Sequence, residues 1–112
     1  MKHLETWEHR FNKELEMAER ARASGNEGMA RVCARRAAGI VIAEYLRLQG
    51  LELKTPSAYD YLRYLSLSPD IPSDVKSVVD HFLTRITPDY RLPVEADLIA
   101  ESRWLRQRLL AE

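Results

Sequence analysis

The amino-acid sequence predicts an all-α protein, a single up-down bundle of about five helices with two long antiparallel helices at the N-terminal end. Three observations carry this. Apolar residues recur at three- and four-residue steps along most of the chain, the period of one helix face. No segment shows the apolar–polar alternation of a half-buried strand. Gly25, Gly50 and the prolines fall between the periodic stretches and divide the chain into five.

Leu4, Trp7, Phe11, Leu15 and Ala18 mark the first helix, over roughly residues 3–23. Ser24-Gly25-Asn26 ends it, because Gly25 suits a left-handed cap and Asn26 can cap the next helix. So short a connection makes the first two helices antiparallel neighbours. The second helix is expected over residues 27–49, closed by Gly50. Ala30, Ala34, Ala37, Ala38 and Gly39 let another backbone approach, while Met29, Val32, Ile40, Val41, Leu46 and Leu48 supply bulk. A helix apolar around most of its girth is buried on several sides, either at the centre of one chain or against a second copy.

Thr55-Pro56 offers a threonine cap with proline at the first position of a short third helix, whose face is Ala58, Tyr61, Leu62 and Leu65. Ser68-Pro69-Asp70-Ile71-Pro72 is a loop, since its two prolines prevent helix continuity. Pro72 opens a fourth helix with the stripe Val75, Val78, Val79, Phe82 and Ile86, ended by Thr87-Pro88. Pro93 opens the fifth, with Val94, Leu98, Leu105 and Leu109 on one face and Glu95 and Asp97 near its positive end. Trp104 falls off that stripe. With the apolar girth of the second helix, it predicts a two-fold homodimer.

The 112 residues form one domain, 1–112, large enough to bury roughly 65% of the unfolded surface. Formal net charge is zero, so the chain as a whole is not a polycation built to coat nucleic acid. Most of its basic residues are arginines, the better fork for carboxylates and phosphates; ion pairs on helix surfaces are their plainest use. A single cysteine, Cys33, excludes an internal disulfide and a multi-cysteine zinc site, and among alanines it reads as a small buried hydrophobe. No apolar run approaches the roughly 20 residues of a membrane span, and Met1-Lys2-His3-Leu4-Glu5 lacks a signal peptide's apolar stretch. The expectation is a cytoplasmic protein without a membrane. There is no phosphate-cradling glycine loop, paired-histidine zinc motif or nucleophile elbow, so neither metal nor cofactor is expected. Asp60, Asp70, Asp74, Asp89 and Asp97 sit at helix starts and loops, where capping explains them.

The order of elements resembles the HEPN family of small helical domains, over nearly the whole chain. The residues that carry the resemblance are Trp7 and Ala18 in the first helix and ARVCARRAAGIVIAEYLRLQG in the second. A short helix before a proline loop, a helix ending in Arg85 and an alanine-containing last helix add to it. The resemblance implies an up-down bundle, usually a homodimer, often encoded beside a minimal nucleotidyltransferase; some members are metal-independent RNases and toxins. Those RNases place a histidine about five residues after an arginine. In this sequence Arg85 stands where the arginine belongs, but Tyr90 stands where the histidine is expected, and Leu92 replaces a following aromatic. A phenol with an ordinary pKa near 10 is a poor general base at neutral pH.

Other residues can be weighed for the missing role. His81 lies one turn before Arg85 on the predicted fourth helix, and such a pair can address one ligand. His3 and His9 point to different helix faces. A phosphate or nucleotide site can be assembled from Arg35, Arg36, Arg85 and Arg91, with Tyr90 as a stacking surface. Arg35 and Arg36 point about 100° apart, so at most one is expected to face a given cleft. The expected function is a non-catalytic dimeric module that binds a partner protein, a minimal nucleotidyltransferase by resemblance, or a nucleotide or RNA ligand. The alternatives are a divergent metal-independent RNase using Arg85 with His81 or Tyr90, and a purely structural helical domain.

Overall fold

The computed structural model describes residues 6–84 and 96–110. These form five helices: α1 (Trp7–Ala23), α2 (Glu27–Leu48), α3 (Ala58–Ser66), α4 (Ser73–Leu83) and α5 (Leu98–Leu110). No strand occurs among the described residues. The two longest helices, of 17 and 22 residues, flank Gly25 as expected. Gly25 has φ +83° and Gly50 φ +81°, a conformation that glycine adopts without the steric penalty of a β-carbon. Asn26 caps α2 by accepting from the Met29 amide at 3.1 Å.

Helix α2 is the centre of the bundle. It packs on α1, α3 and α5, and α4 closes the far side against α3 and α5. Ala30, Cys33, Ala34, Ala37, Ala38, Gly39, Val41, Ile42 and Leu46 are all buried along it. Most of its apolar girth is therefore covered within one chain, while Met29 and Leu48 near its ends stay exposed. The opposing surfaces are Phe11, Leu15 and Ala18 from α1, Leu62 and Leu65 from α3, Val75, Val79 and Phe82 from α4, and Leu98, Ile99 and Leu105 from α5. Trp104 stays off the stripe, 36% exposed.

Several expected boundaries move, each for a local reason. Helix α1 starts at Trp7 rather than near residue 3, because the Thr6 hydroxyl accepts from the His9 amide at 3.1 Å and caps it. Helix α3 is capped by Ser57, not Thr55: the Ser57 hydroxyl accepts from the Asp60 amide at 3.3 Å. Thr55 instead donates to the Asp60 carboxylate at 2.7 Å and accepts from the Ser57 amide at 3.1 Å, bracing the entry to the helix. Pro72 is the extended residue before α4 rather than its first helical one. Helix α4 stops at Leu83, where Thr84 turns extended, short of the predicted Thr87-Pro88 end. Helix α5 begins at Leu98, not Pro93, because the Asp97 carboxylate accepts from the amides of Ile99 and Ala100. The predicted contributions of Ile86, Val94 and Glu95 lie outside the described residues.

Arginine pairs border the bundle, the plain role expected of them. Arg22 reaches Glu27 at 2.7 Å and Asp97 at 3.1 Å, Arg103 reaches Glu19 at 2.7 Å, and Arg108 reaches Asp74 at 3.0 Å. The Arg106 guanidinium lies 4.9 Å from the ring centre of Trp7 and 5.0 Å from that of Phe11, stacking α5 on α1. Such exposed pairs contribute roughly 0–1 kcal/mol each. They position α5 more than they hold the fold.

Candidate functional site: a basic cleft beside the central helix

A cleft of about 780 Å³ lies where α1, α2 and the start of α3 meet. That volume lies within the range that accommodates small ligands. Arg10, Lys13, Glu14 and Met17 line it from α1. Val32, Arg35, Arg36, Gly39, Ile40 and Ala43 line it from α2. Thr55, Pro56, Ser57, Ala58 and Tyr61 complete the wall. Four cationic side chains thus face one carboxylate.

The sequence builds this cleft through its small residues. Gly39 lets α3 sit directly on α2, so the capped start of α3 forms the end wall. The α3 N-terminus adds the positive end of a helix dipole to the cationic lining. Tyr61 donates from its hydroxyl to the Leu53 carbonyl at 3.2 Å, which holds its ring in the wall.

Arg35 and Arg36 both line the cleft, contrary to the expectation that a 100° separation would let only one do so. The cleft is wide enough, spanning from α1 across α2 to α3, to take in both directions. Their situations differ. Arg36 is exposed, whereas half-buried Arg35 donates from Nε to the Phe82 carbonyl at 3.1 Å. Burial lowers the Arg35 pKa from its ordinary value; arginine nonetheless remains a cation at neutral pH. Arg35 thereby ties the cleft to the C-terminal end of α4, where unpaired carbonyls favour a cation.

Glu14 is the exception in the lining. Its Oε2 is shut away from solvent and has no hydrogen-bond partner. Beside it, the thiol of fully buried Cys33 is pushed up in pKa by burial first and by the Glu14 carboxylate second, with Arg36 acting in the opposite direction. Cys33 is thus the small buried hydrophobe that its alanine neighbours suggest.

His81 lies elsewhere. Its Nδ1 is 2.8 Å from both carboxylate oxygens of Glu101, linking α4 to α5. A carboxylate only accepts, so Nδ1 carries the proton of this hydrogen bond. Helix α4 ends at Leu83, and the expected one-turn relation between His81 and Arg85 falls on a residue outside the described ones. Arg85, Tyr90 and Arg91 lie outside the described residues. Arg10, Lys13 and Glu14, which sequence reasoning missed, sit on the polar face of α1. Their spacing alone is that of any solvated helix; the signal is the basic Arg10 and Lys13 one and two turns past the Trp7 start, facing the arginine pair of the neighbouring helix.

Among the described residues, no group of three or more histidine, cysteine or acidic side chains is placed to hold a metal ion. No helix among them is long and apolar enough to cross a membrane. Compared with models of protein families, curated proteins and solved structures, the chain matches none.

Proposed function

We propose that the chain is a non-catalytic helical binding module whose ligand carries a phosphate, a nucleotide or a short stretch of RNA, held in the α1–α2–α3 cleft. The observation that carries this reading is the convergence of Arg10, Lys13, Arg35 and Arg36 on one concavity of ligand size. Cations from two helices line the same space, with the N-terminal end of a third beside them, an arrangement that favours a polyanionic group over a single surface counter-ion. Arginine forks suit phosphate oxygens, and Tyr61 contributes an aromatic ring to the wall. Holding a phosphate in this way is ground-state binding and does not by itself lower a reaction barrier.

Titration calorimetry with nucleoside monophosphates and the corresponding nucleosides, at low salt, tests the reading. The phosphorylated ligands should bind and the nucleosides should bind at least tenfold more weakly. Lys13→Glu with Arg36→Glu should abolish the difference. Equal binding of phosphorylated and unphosphorylated ligands, or an unaffected double variant, would remove the proposal.

A second reading, the divergent RNase, is favoured by one observation. Glu101 holds Nδ1 of His81, leaving Nε2 as the nitrogen that can exchange a proton, in the manner of a carboxylate-oriented general base. The homodimer and the nucleotidyltransferase partner belong to the family resemblance. Exposed Trp104, off the apolar stripe of α5, is the surface we propose for a dimer. Sedimentation of the wild type beside Trp104→Ala separates monomer from dimer.

A further inference from the structure

We infer that the ligand is a single-stranded oligonucleotide, laid along α2 through this cleft and into a second concavity that adjoins it. The inference rests on the phosphate-binding reading above and deepens it from one phosphate to a strand. The second concavity, of about 420 Å³, shares Arg10, Ile40, Ala43 and Tyr61 with the first and continues past them to Trp7 of α1 and Arg47 of α2. The two linings advance together: α2 contributes from Val32 to Arg47, while α1, running the other way, contributes from Met17 to Trp7. From Val32 to Arg47 is fifteen residues, about 22 Å at a rise of 1.5 Å each. A mononucleotide fills only part of that run, and a strand of several nucleotides uses all of it.

The charge along this run suits a polyanion. Arg22, Arg103 and Arg108 at the borders of the bundle are each engaged by a carboxylate. Among the described residues, no carboxylate pairs with Arg10, Lys13, Arg36 or Lys54. Lys54 lines the second concavity beside Arg47; of the two acids there, Glu44 is taken up by Arg47 at 2.7 Å, which leaves Glu52. Cations without partners draw phosphates without first breaking ion pairs. Half-buried Tyr61 stands where the two concavities join, its hydroxyl fixed on the Leu53 carbonyl at 3.2 Å. Cations along a groove with an aromatic ring among them is the arrangement that binds single strands, by backbone charge and by stacking under a base. Trp7, with the Arg106 guanidinium 4.9 Å from its ring centre, supplies a second ring at the far end. A duplex keeps its base faces within its own stack and cannot use either ring, and an acidic peptide answers the cations alone.

Calorimetry on the full chain at low salt compares uridine monophosphate with oligouridylates of two, four and six nucleotides. The hexamer should bind about a hundredfold more tightly than the monophosphate, more than the overlapping registers of a longer strand on one subsite would give. Its affinity should also fall more steeply with salt, each further phosphate contacted adding about 0.7 to the slope. Arg47→Glu with Lys54→Glu should remove most of the length dependence and flatten the salt slope, while the monophosphate binds as before. Should the double variant not fold, Lys54→Glu alone, at an exposed position, should move both in the same direction. Equal binding at every length overturns the strand and leaves the phosphate cleft standing. A length dependence unchanged in the folded variants overturns the path through the second concavity. A duplex RNA or hexaglutamate that binds as tightly as the hexamer shows attraction to charge alone and overturns the inference as well. Binding of none overturns both readings.

Discussion

Gly39 of α2 and Ala58 of α3 meet so closely that a β-carbon on Gly39 would lie 2.7 Å from that of Ala58 and 2.8 Å from its α-carbon. The contact is with backbone, so a side chain turning away cannot relieve it. Gly39→Ala should therefore destabilise the protein, with overpacking of about 1–3 kcal/mol outweighing the gain of roughly 0.5–1 kcal/mol expected for alanine in a helix interior. Chemical denaturation is the measurement. The same variant should weaken ligand binding, because α3 can make room only by shifting the end wall of the cleft. Unchanged stability would mean that α3 moves away without cost.

Asp97 supplies a prediction with a pH dependence. Burial pushes its carboxyl up, but the Ala100 amide, the Arg22 guanidinium and the Ile99 amide together pull it below the usual aspartate value. A folded-state pKa below the unfolded one means that its extra stability is present above the unfolded value near 4 and is lost as pH falls through the lower folded value. Asp97→Ala removes both the α5 cap and the Arg22 pair and should cost about 1 kcal/mol at neutral pH. Asp97→Asn keeps a capping side chain and should cost less. The difference between wild type and Asp97→Asn should narrow as pH drops below 4, read from denaturation midpoints.

His81 and Glu101 decide between the two functional readings. Wild type, His81→Ala, Arg85→Ala and Tyr90→His are compared on a structured RNA without metal. Wild type, His81→Ala and Arg85→Ala should be silent, since general acid–base catalysis typically supplies about a hundred- to ten-thousandfold and Tyr90 stands where the histidine is expected. Cleavage lost in both His81→Ala and Arg85→Ala would promote the RNase. Activity gained only in Tyr90→His would identify a catalytic frame lacking its base. In the silent case, His81→Ala still lowers stability, because it leaves half-buried Glu101 without its partner.

The helices were legible because their signals are local. Gly25 and Gly50 take positive φ, Asn26 caps α2, and the Phe11–Leu15–Ala18 and Val75–Val79–Phe82 stripes are buried as their spacing requires. Helix starts were misplaced where two candidate caps stood close together. Thr55 and Ser57 are both good caps, and only the three-dimensional path shows that Ser57 receives the Asp60 amide while Thr55 braces the carboxylate. Asp97 likewise competed with Pro93. The cleft was half legible. Arg35 and Arg36 drew attention as a pair, but their joint presence in one wall depends on how widely α1 and α3 diverge. The place of Glu14 in the cleft wall is a tertiary fact, and no periodicity on α1 distinguishes it from the solvated acids Glu8, Glu16 and Glu19.

Glu14 also yields a stability prediction independent of any ligand. Its Oε2 is buried without a donor, and an unsatisfied polar group of this kind costs about 1–3 kcal/mol. Methionine matches the length of the side chain and removes the acceptor, and the neighbours Met17 and Ile40 make the lining tolerant of an apolar group. Glu14→Met should raise the stability of the free protein by up to about 1 kcal/mol. The thermal midpoint should rise. A fall in stability would instead show that Glu14 is held in the native state by the cations around it, and that its carboxylate belongs to the fold.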